Sequence, residues 1–255
     1  MRYVAVGVVA LLTWVAASEA TGIGLVASLA DTIERGIPQR TREILAQIPR
    51  PAFEDAHATY DPFLDTLAMA VIGTVIGCLL ALLVAFGASA ITAGGRIRFG
   101  VTKSIMSLVR SVPDIMWALV FVSAVGTGTI SGVLALVLFN IGVVAKLLAE
   151  TIDAVDTGPL EAADAAGAGL IARARAAVFP QVLPNYLAFS LYAFELNVRA
   201  SAVLGLVGAG GIGVLLNLAR NQFRYDRVSL IVVEIFVFVF VAEFISISLR
   251  RRLVE

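Results

Sequence analysis

Cysteine, histidine and charge are all scarce in this chain. Of its 255 residues one is cysteine, Cys78, one is histidine, His57, and only 15% are charged. A single thiol excludes an internal disulfide framework, and Cys78 lies in an apolar run where a small apolar filler residue is the plain reading. A single imidazole, with no second metal-type residue at a useful spacing, reads as a solvated or capping side chain, so no metal site is expected. The 19 basic and 19 acidic residues cancel, and nothing in the total points to nucleic acid. The P-loop pattern G-x-x-x-x-G-K-[ST] is also missing, so the chain is not expected to hydrolyse ATP itself.

Apolar residues are what the chain has in excess. They make up 59% of it, against about 45–50% in soluble domains, and the mean hydropathy is +0.93. A helix needs about 20 mainly apolar residues to cross the hydrocarbon core. Six stretches qualify: "YVAVGVVALLTWVAA" (residues 3–17), a long run at 63–91, then 105–125, 131–152, 183–206 and 228–249. The first lacks a clean A-x-A-like cleavage site and reads as a retained anchor. The expected fold is therefore all-α, a polytopic membrane protein of about six transmembrane helices. Residues 1–62 form an anchor plus an amphipathic segment lying on the membrane surface, and residues 63–255 the main membrane body. Arginine and lysine clusters at 96–110, 173–175 and 250–252 place the N- and C-termini in the cytoplasm. Two clusters run against that bias: Arg35, Arg40, Arg42 and Arg50, which nearby acidic residues balance, and Arg220, Arg224 and Arg227.

The loop between the fourth and fifth spans, "DTGPLEAADAAGAGLIARARAAVFPQVLP", is too short and too small to span. Pro159 suits a first helical turn, and Glu161 with Asp164 complements the helix dipole. The alanines and glycines that follow leave a face open to close approach, Arg173 and Arg175 face phosphates or acidic partner groups, and Pro180 and Pro184 mark the return to the membrane. The segment describes a short exposed helix at about 158–170, built for contact.

Here the chain resembles the inner-membrane permease subunits of ATP-binding-cassette importers, whose loop pattern is E-A-A, three residues, G, nine residues, then I-x-L-P. Glu161-Ala162-Ala163, Gly167 and Pro180 match at the right spacing, while Ala177 and Phe179 stand where the family has Ile and Leu. "RSVPDIMWALVFVSAVGTGTISGVLAL", "FELNVRASAVLGLVGAGGIG" and the last span are similar to phosphonate-type permeases. Methionine permeases share the glycine-rich part. The resemblance implies the type I importer architecture, with Glu161, Ala162, Ala163, Asp164, Gly167 and Pro180 coupling to the ATPase. It also implies a homodimer or paralogue heterodimer of permeases, two cytoplasmic ATPase subunits that bind ATP and magnesium, and an extracytoplasmic binding protein or lipoprotein. This chain would bind no cofactor itself. The cargo implied is a phosphonate, phosphite or phosphate; methionine transport and an ATP-independent secondary transporter are the alternatives.

Charges inside apolar spans mark a special environment, since each costs roughly 2.5–3.5 kcal/mol at a helix centre on insertion scales. Glu195, Asn197 and Arg199 lie in the fifth span. Glu195 and Arg199 are four apart and share a face, which suits either a packing ion pair or a polar lining with Arg199 near an anionic substrate. Lys146 and Glu150 repeat the spacing near a span end. Glu234 and Glu243 have no cation nearby in sequence. In Arg110-Ser111-Val112-Pro113-Asp114 the proline breaks the third span near its start, with Arg110 and Ser111 toward headgroups, structure or the path. Finally, "GAGGIG" fits the dinucleotide fingerprint G-x-G-x-x-G, which would make a membrane oxidoreductase, but no strand precedes it and no acidic residue follows at the required distance. Gly208, Gly210 and Gly211 instead read as a break in the fifth span, a candidate gate whose glycines either expose N–H groups or allow close packing, followed by a short helix at 214–223.

Overall fold

The computed structural model describes residues 38–254 together with Thr13, Ala16, Ala17 and Gly36; the first expected span lies almost wholly outside the described residues. The chain divides into two units, residues 1–51 and 52–255. In the first, helix α1 (Gln39–Gln47) buries none of its residues. Its start is marked by the Arg42 amide donating to the Pro38 carbonyl at 3.1 Å.

The second unit opens with a 3₁₀ turn, Phe53–Ala58, in whose last turn the His57 Nδ1 lies 3.0 Å from the Glu54 carbonyl. Then come α2 (Tyr60–Ala88), α3 (Arg96–Ser111), α4 (Asp114–Val125), α5 (Thr129–Asp153), α6 (Gly158–Ala165) and the single turn α7 (Leu170–Arg173). A π-turn, Ala174–Val178, leads into α8 (Phe179–Leu204), and a 3₁₀ turn, Gly205–Val207, precedes α9 (Ile212–Asn221) and α10 (Tyr225–Val254). No strand occurs among the described residues.

Small residues set the packing. The buried positions of α2 include Gly73, Gly77, Ala81, Ala85 and Ala88, on the side that packs on α5, while Ala70 packs with Val198 of α8 and Ala242 of α10. A Cβ on Gly73 would come within 2.8 Å of the Leu136 Cβ, and one on Gly77 within 2.6 Å of the Asn140 Cβ. Lipid offers no hydrophobic drive between helices, so backbones that approach this closely supply the association by dispersion contacts. The far ends of α2 and α5 are joined by Asp153, whose Oδ1 accepts from the Ser89 hydroxyl at 2.6 Å and the Ala90 amide at 2.9 Å. Cys78 is free and buried in the same core as Leu148, Ile152, Val178 and Val182.

Four helical stretches among the described residues, Tyr60–Ala88, Thr129–Asp153, Leu170–Val207 and Tyr225–Arg250, are long and apolar enough to cross a membrane. The expected third span is not one of them. It is two helices, α3 and α4, bent by 90°. Val112, before proline, is extended at φ −95° and ψ 126°, the region to which the proline ring confines its predecessor. The Pro113 carbonyl restarts the chain by accepting from the Met116 and Trp117 amides, and the Trp117 indole donates to the Val109 carbonyl at 3.2 Å. The fifth span also differs from expectation. Pro180 and Pro184 do not mark a turn: Pro180 lies in the first turn of α8 and Pro184 inside it. The short helix expected at 214–223 is α9, two residues earlier.

Candidate coupling and translocation sites

The loop that enters α6 is fixed by two side chains. Asp156 Oδ1 accepts from the Gly158 amide at 3.0 Å. Gln181, on α8, accepts from the Asp156 amide at 3.0 Å and donates to the Asp156 carbonyl at 3.3 Å. Leu160 is buried in the core beneath, which turns the other face of the helix outward. Glu161, Ala162, Asp164, Gly167 and Pro180 are exposed and Ala163 is half-buried. Asp164 is not in the first turn but in the last, where a carboxylate opposes the helix dipole; the Arg173 guanidinium, 3.2 Å away, compensates it. The helix ends in a Schellman motif, with the Gly167 amide bonded to the Asp164 carbonyl and the Ala168 amide to the Ala163 carbonyl, both at 3.0 Å. Gly167 adopts φ +73°, yet a Cβ placed on it would meet nothing within 4 Å. Glycine is required there for its conformation, not for space.

At the α3–α4 corner Arg110 and Ser111 are both exposed. The Arg110 stem lies over Gly142 of α5, where a Cβ would come within 2.8 Å of its Cγ, and its charge sits in the last turn of α3, complementing the dipole. The Ser111 hydroxyl donates to the Leu108 carbonyl at 2.7 Å.

In α8 a charged cluster forms. Glu195 is 9% exposed. Its Oε1 accepts from the Arg199 guanidinium and its Oε2 from that of Arg250, each at 3.1 Å. The pairing with Arg199 is the one its spacing suggests. Arg250 is an addition: 55 residues away in sequence, on α10, its guanidinium carbon lies 6.0 Å from the centre of the Tyr192 ring. More than half of the Arg199 side chain, 53%, is exposed. Asn197 lies apart from this cluster. It is wholly buried against α2, where its amide donates to Thr74 Oγ1 at 2.7 Å and the Thr74 hydroxyl donates in turn to the Ala70 carbonyl at 2.6 Å. Asn140 does the same on α5, donating to the Gly73 carbonyl at 3.0 Å. Arg250, Thr74 and Asn140 are absent from the expected site because each takes its meaning from a distant helix.

The glycine stretch folds into a corner between α8 and α9. Gly208, Gly210 and Gly211 have φ of +90°, +88° and +70°. Here the space is closed as well. A Cβ on Gly210 would lie 2.8 Å from the Thr129 amide nitrogen, and one on Gly211 2.5 Å from Thr66 Oγ1. The chain's polar groups are used internally: the Gly208 carbonyl accepts from the Gly128 amide at 2.9 Å, and Thr66 Oγ1 accepts from the Ile212 amide at 2.8 Å while donating to the Pro62 carbonyl.

Three further arrangements concern charges that the sequence leaves open. Thr59 donates to Glu234 Oε1 at 2.8 Å. Two of the arginines that run against the charge bias are paired: Asp55 Oδ2 accepts from Arg224 at 3.0 Å and from Arg227 at 3.1 Å, and Arg224 also meets Asp226. Lys146 and Glu150 pair at 3.3 Å with both side chains largely exposed. Among the described residues no group of three His, Cys, Asp or Glu could hold a metal ion.

The family described as binding-protein-dependent transport system inner membrane component matches residues 73–255. The chain is 39% identical over 222 residues to the phosphite transport system permease protein PtxC of Stutzerimonas stutzeri, covering 87% of this chain and 80% of that one. It is 38% identical over 191 residues to the phosphate-import permease protein PhnE of Mycolicibacterium smegmatis, a match that takes in 75% of this chain and 36% of that protein. Among solved structures, a chain from an amino acid ABC transporter crystallised with histidines superposes with a TM-score of 0.65 at 21% identity, over 78% of this chain and 96% of that one.

Proposed function

The chain belongs to the family of inner-membrane components of binding-protein-dependent transport systems, and on that premise we propose that it moves a small phosphorus oxyanion (phosphonate, phosphite or phosphate) through a path shared by two permease copies or a paralogue pair. As a family member it is a multi-pass permease subunit, not itself the ATPase, and needs no cofactor of its own. Two ATPase subunits carry ATP and magnesium, and a binding protein or lipoprotein delivers the cargo from the other side. Residues 63–255 form the permease core behind an N-terminal region, 1–62, and both termini face the cytoplasm.

Glu161, Ala162, Ala163, Asp164, Gly167 and Pro180 form the coupling surface. Its exposed, small-residue face admits a groove on the ATPase, and Gln181 and Leu160 pass the movement to α8. Arg110, Ser111, Glu195, Arg199 and the corner at Gly208, Gly210 and Gly211 belong to the path or its gate, with Asn197 holding α8 against α2. The substrate reading is carried by Arg199. A guanidinium on an apolar span with half its side chain uncovered faces water, protein or headgroups and not acyl chains, and its free surface suits an oxyanion bidentately.

The test is reconstitution with the cognate ATPase and binding protein in proteoliposomes. Uptake of phosphite, phosphate or a phosphonate should require ATP. It should fall at least tenfold with Glu161→Lys while stability drops by no more than about 1 kcal/mol, since that side chain is exposed and the change reverses only its interaction with the helix dipole. Methionine uptake without oxyanion uptake overturns the substrate; uptake that survives removal of the ATPase overturns the mechanism.

A further inference from the structure

Glu195 poses a physical problem for any anion that uses Arg199. The carboxylate already occupies that guanidinium, and it is nearly buried between α8 and α10. It lies 16 residues into α8 and nine before its end, about 24 Å and 14 Å along the axis at the usual helical rise. If an oxyanion took Arg199 from a Glu195 that had no other partner, a bare buried carboxylate would remain, which is strongly unfavourable. The structure removes that obstacle. The two oxygens of Glu195 are committed separately, Oε1 to Arg199 and Oε2 to Arg250. Arg250 is the less exposed of the two arginines, 30% against 53%. Its position is fixed by the nearby Tyr192 ring and by the Ser246 hydroxyl, one turn before it on α10, which donates to the Leu191 carbonyl of α8 at 3.2 Å. Two guanidiniums and one carboxylate leave the cluster with a net charge of +1, and the uncovered part of that charge is on Arg199.

We infer that Arg250 is a positioning residue for oxyanion transfer. It retains Glu195 when a tetrahedral phosphorus oxyanion displaces that carboxylate from Arg199, so the exchange never strands a charge. Glu195 is then the internal competitor that keeps Arg199 from holding its cargo too tightly, and it returns to Arg199 as the anion leaves. The inference rests on the oxyanion reading above but can fail apart from it.

The experiment uses the permease–ATPase complex without its binding protein, in maltoside micelles free of phospholipid, with sodium phosphite as the probe. The readout is the thermal midpoint as a function of phosphite concentration, with chloride as the control. Wild type should be stabilised by phosphite and not by chloride. Arg199→Gln should abolish the response. Arg250→Gln should raise the half-saturating phosphite at least tenfold, and Arg250→Lys should recover to within about threefold of wild type. Glu195→Gln should lower the half-saturating value, and adding Arg250→Gln to it should change that value no further, because no carboxylate is left to retain. An Arg250→Gln complex that melts lower but keeps the wild-type half-saturating phosphite shows a packing role only and overturns the inference. So does a midpoint that answers to added phosphatidylglycerol and not to phosphite, which would make the cluster a lipid-headgroup site. Absence of any phosphite response in the wild type overturns it too. In these three cases oxyanion uptake in proteoliposomes can persist, and the functional reading stands; loss of that uptake in the wild type sinks the functional reading by itself.

Discussion

Gly167 and Gly210 are the same residue and both take a positive φ, +73° and +88°, and they do opposite things. Around Gly167 a Cβ would find open space; around Gly210 it would strike the Thr129 backbone and side chain. The first ends an exposed helix cleanly and leaves the space beside it open. The second lets α5 and the corner after α8 approach until no side chain fits between them. A glycine-rich motif therefore has two uses in one chain, one defined by the room it leaves and the other by the room it consumes.

Substitutions can break this contrast. Gly210→Ala combines a left-handed backbone with overpacking, and should destabilise the purified protein by about 3 kcal/mol, from ~1–2 for the conformation and ~1–3 for the clash. A wild-type thermal midpoint would show that the corner yields. Thr66→Val leaves the Ile212 amide at that corner without its acceptor and should cost about 1–3 kcal/mol, with Thr66→Ser restoring most of it; equal losses for Val and Ser would assign the effect to shape, not to the hydroxyl. Gly167→Ala should cost least, about 1 kcal/mol, and Gly167→Asn less again, because asparagine tolerates the left-handed region. Uptake with Gly167→Asn should stay above half of wild type. If Ala and Asn abolish uptake equally, the open space at Gly167 belongs to a partner and the contrast with Gly210 narrows.

How far the sequence revealed this depends on the distance between the groups involved. The runs at 63–91, 131–152 and 228–249 are visible from composition, because one helix supplies the whole signal. So is the Glu195–Arg199 pair, which follows from a spacing of four. The break in the third span is legible too, since Pro113 lacks an N–H and holds Val112 extended; the 90° bend is not, because apolar composition continues through residues 105–125 past the break. Pro184 misleads, since a proline reads as a turn but is accommodated inside α8. The rest is invisible to local reading. Arg250 looks like a topology signal at the end of a span until α10 brings it beside Glu195. Thr66 looks like one polar residue in an apolar run until the Ile212 amide, 146 positions later, meets its hydroxyl.

The right-angled corner at Val112–Pro113 bears on how the chain meets the hydrocarbon layer. Helix α3 has 16 residues and α4 has 12, so their lengths are about 24 Å and 18 Å. Set at 90° they do not add along one axis, and neither alone reaches across about 30 Å of hydrocarbon. The backbone groups freed at the corner need protein or water as partners, not acyl chains. The corner therefore belongs where other helices or water meet it, and this stretch of the chain changes direction within the permease where a straight helix would run on.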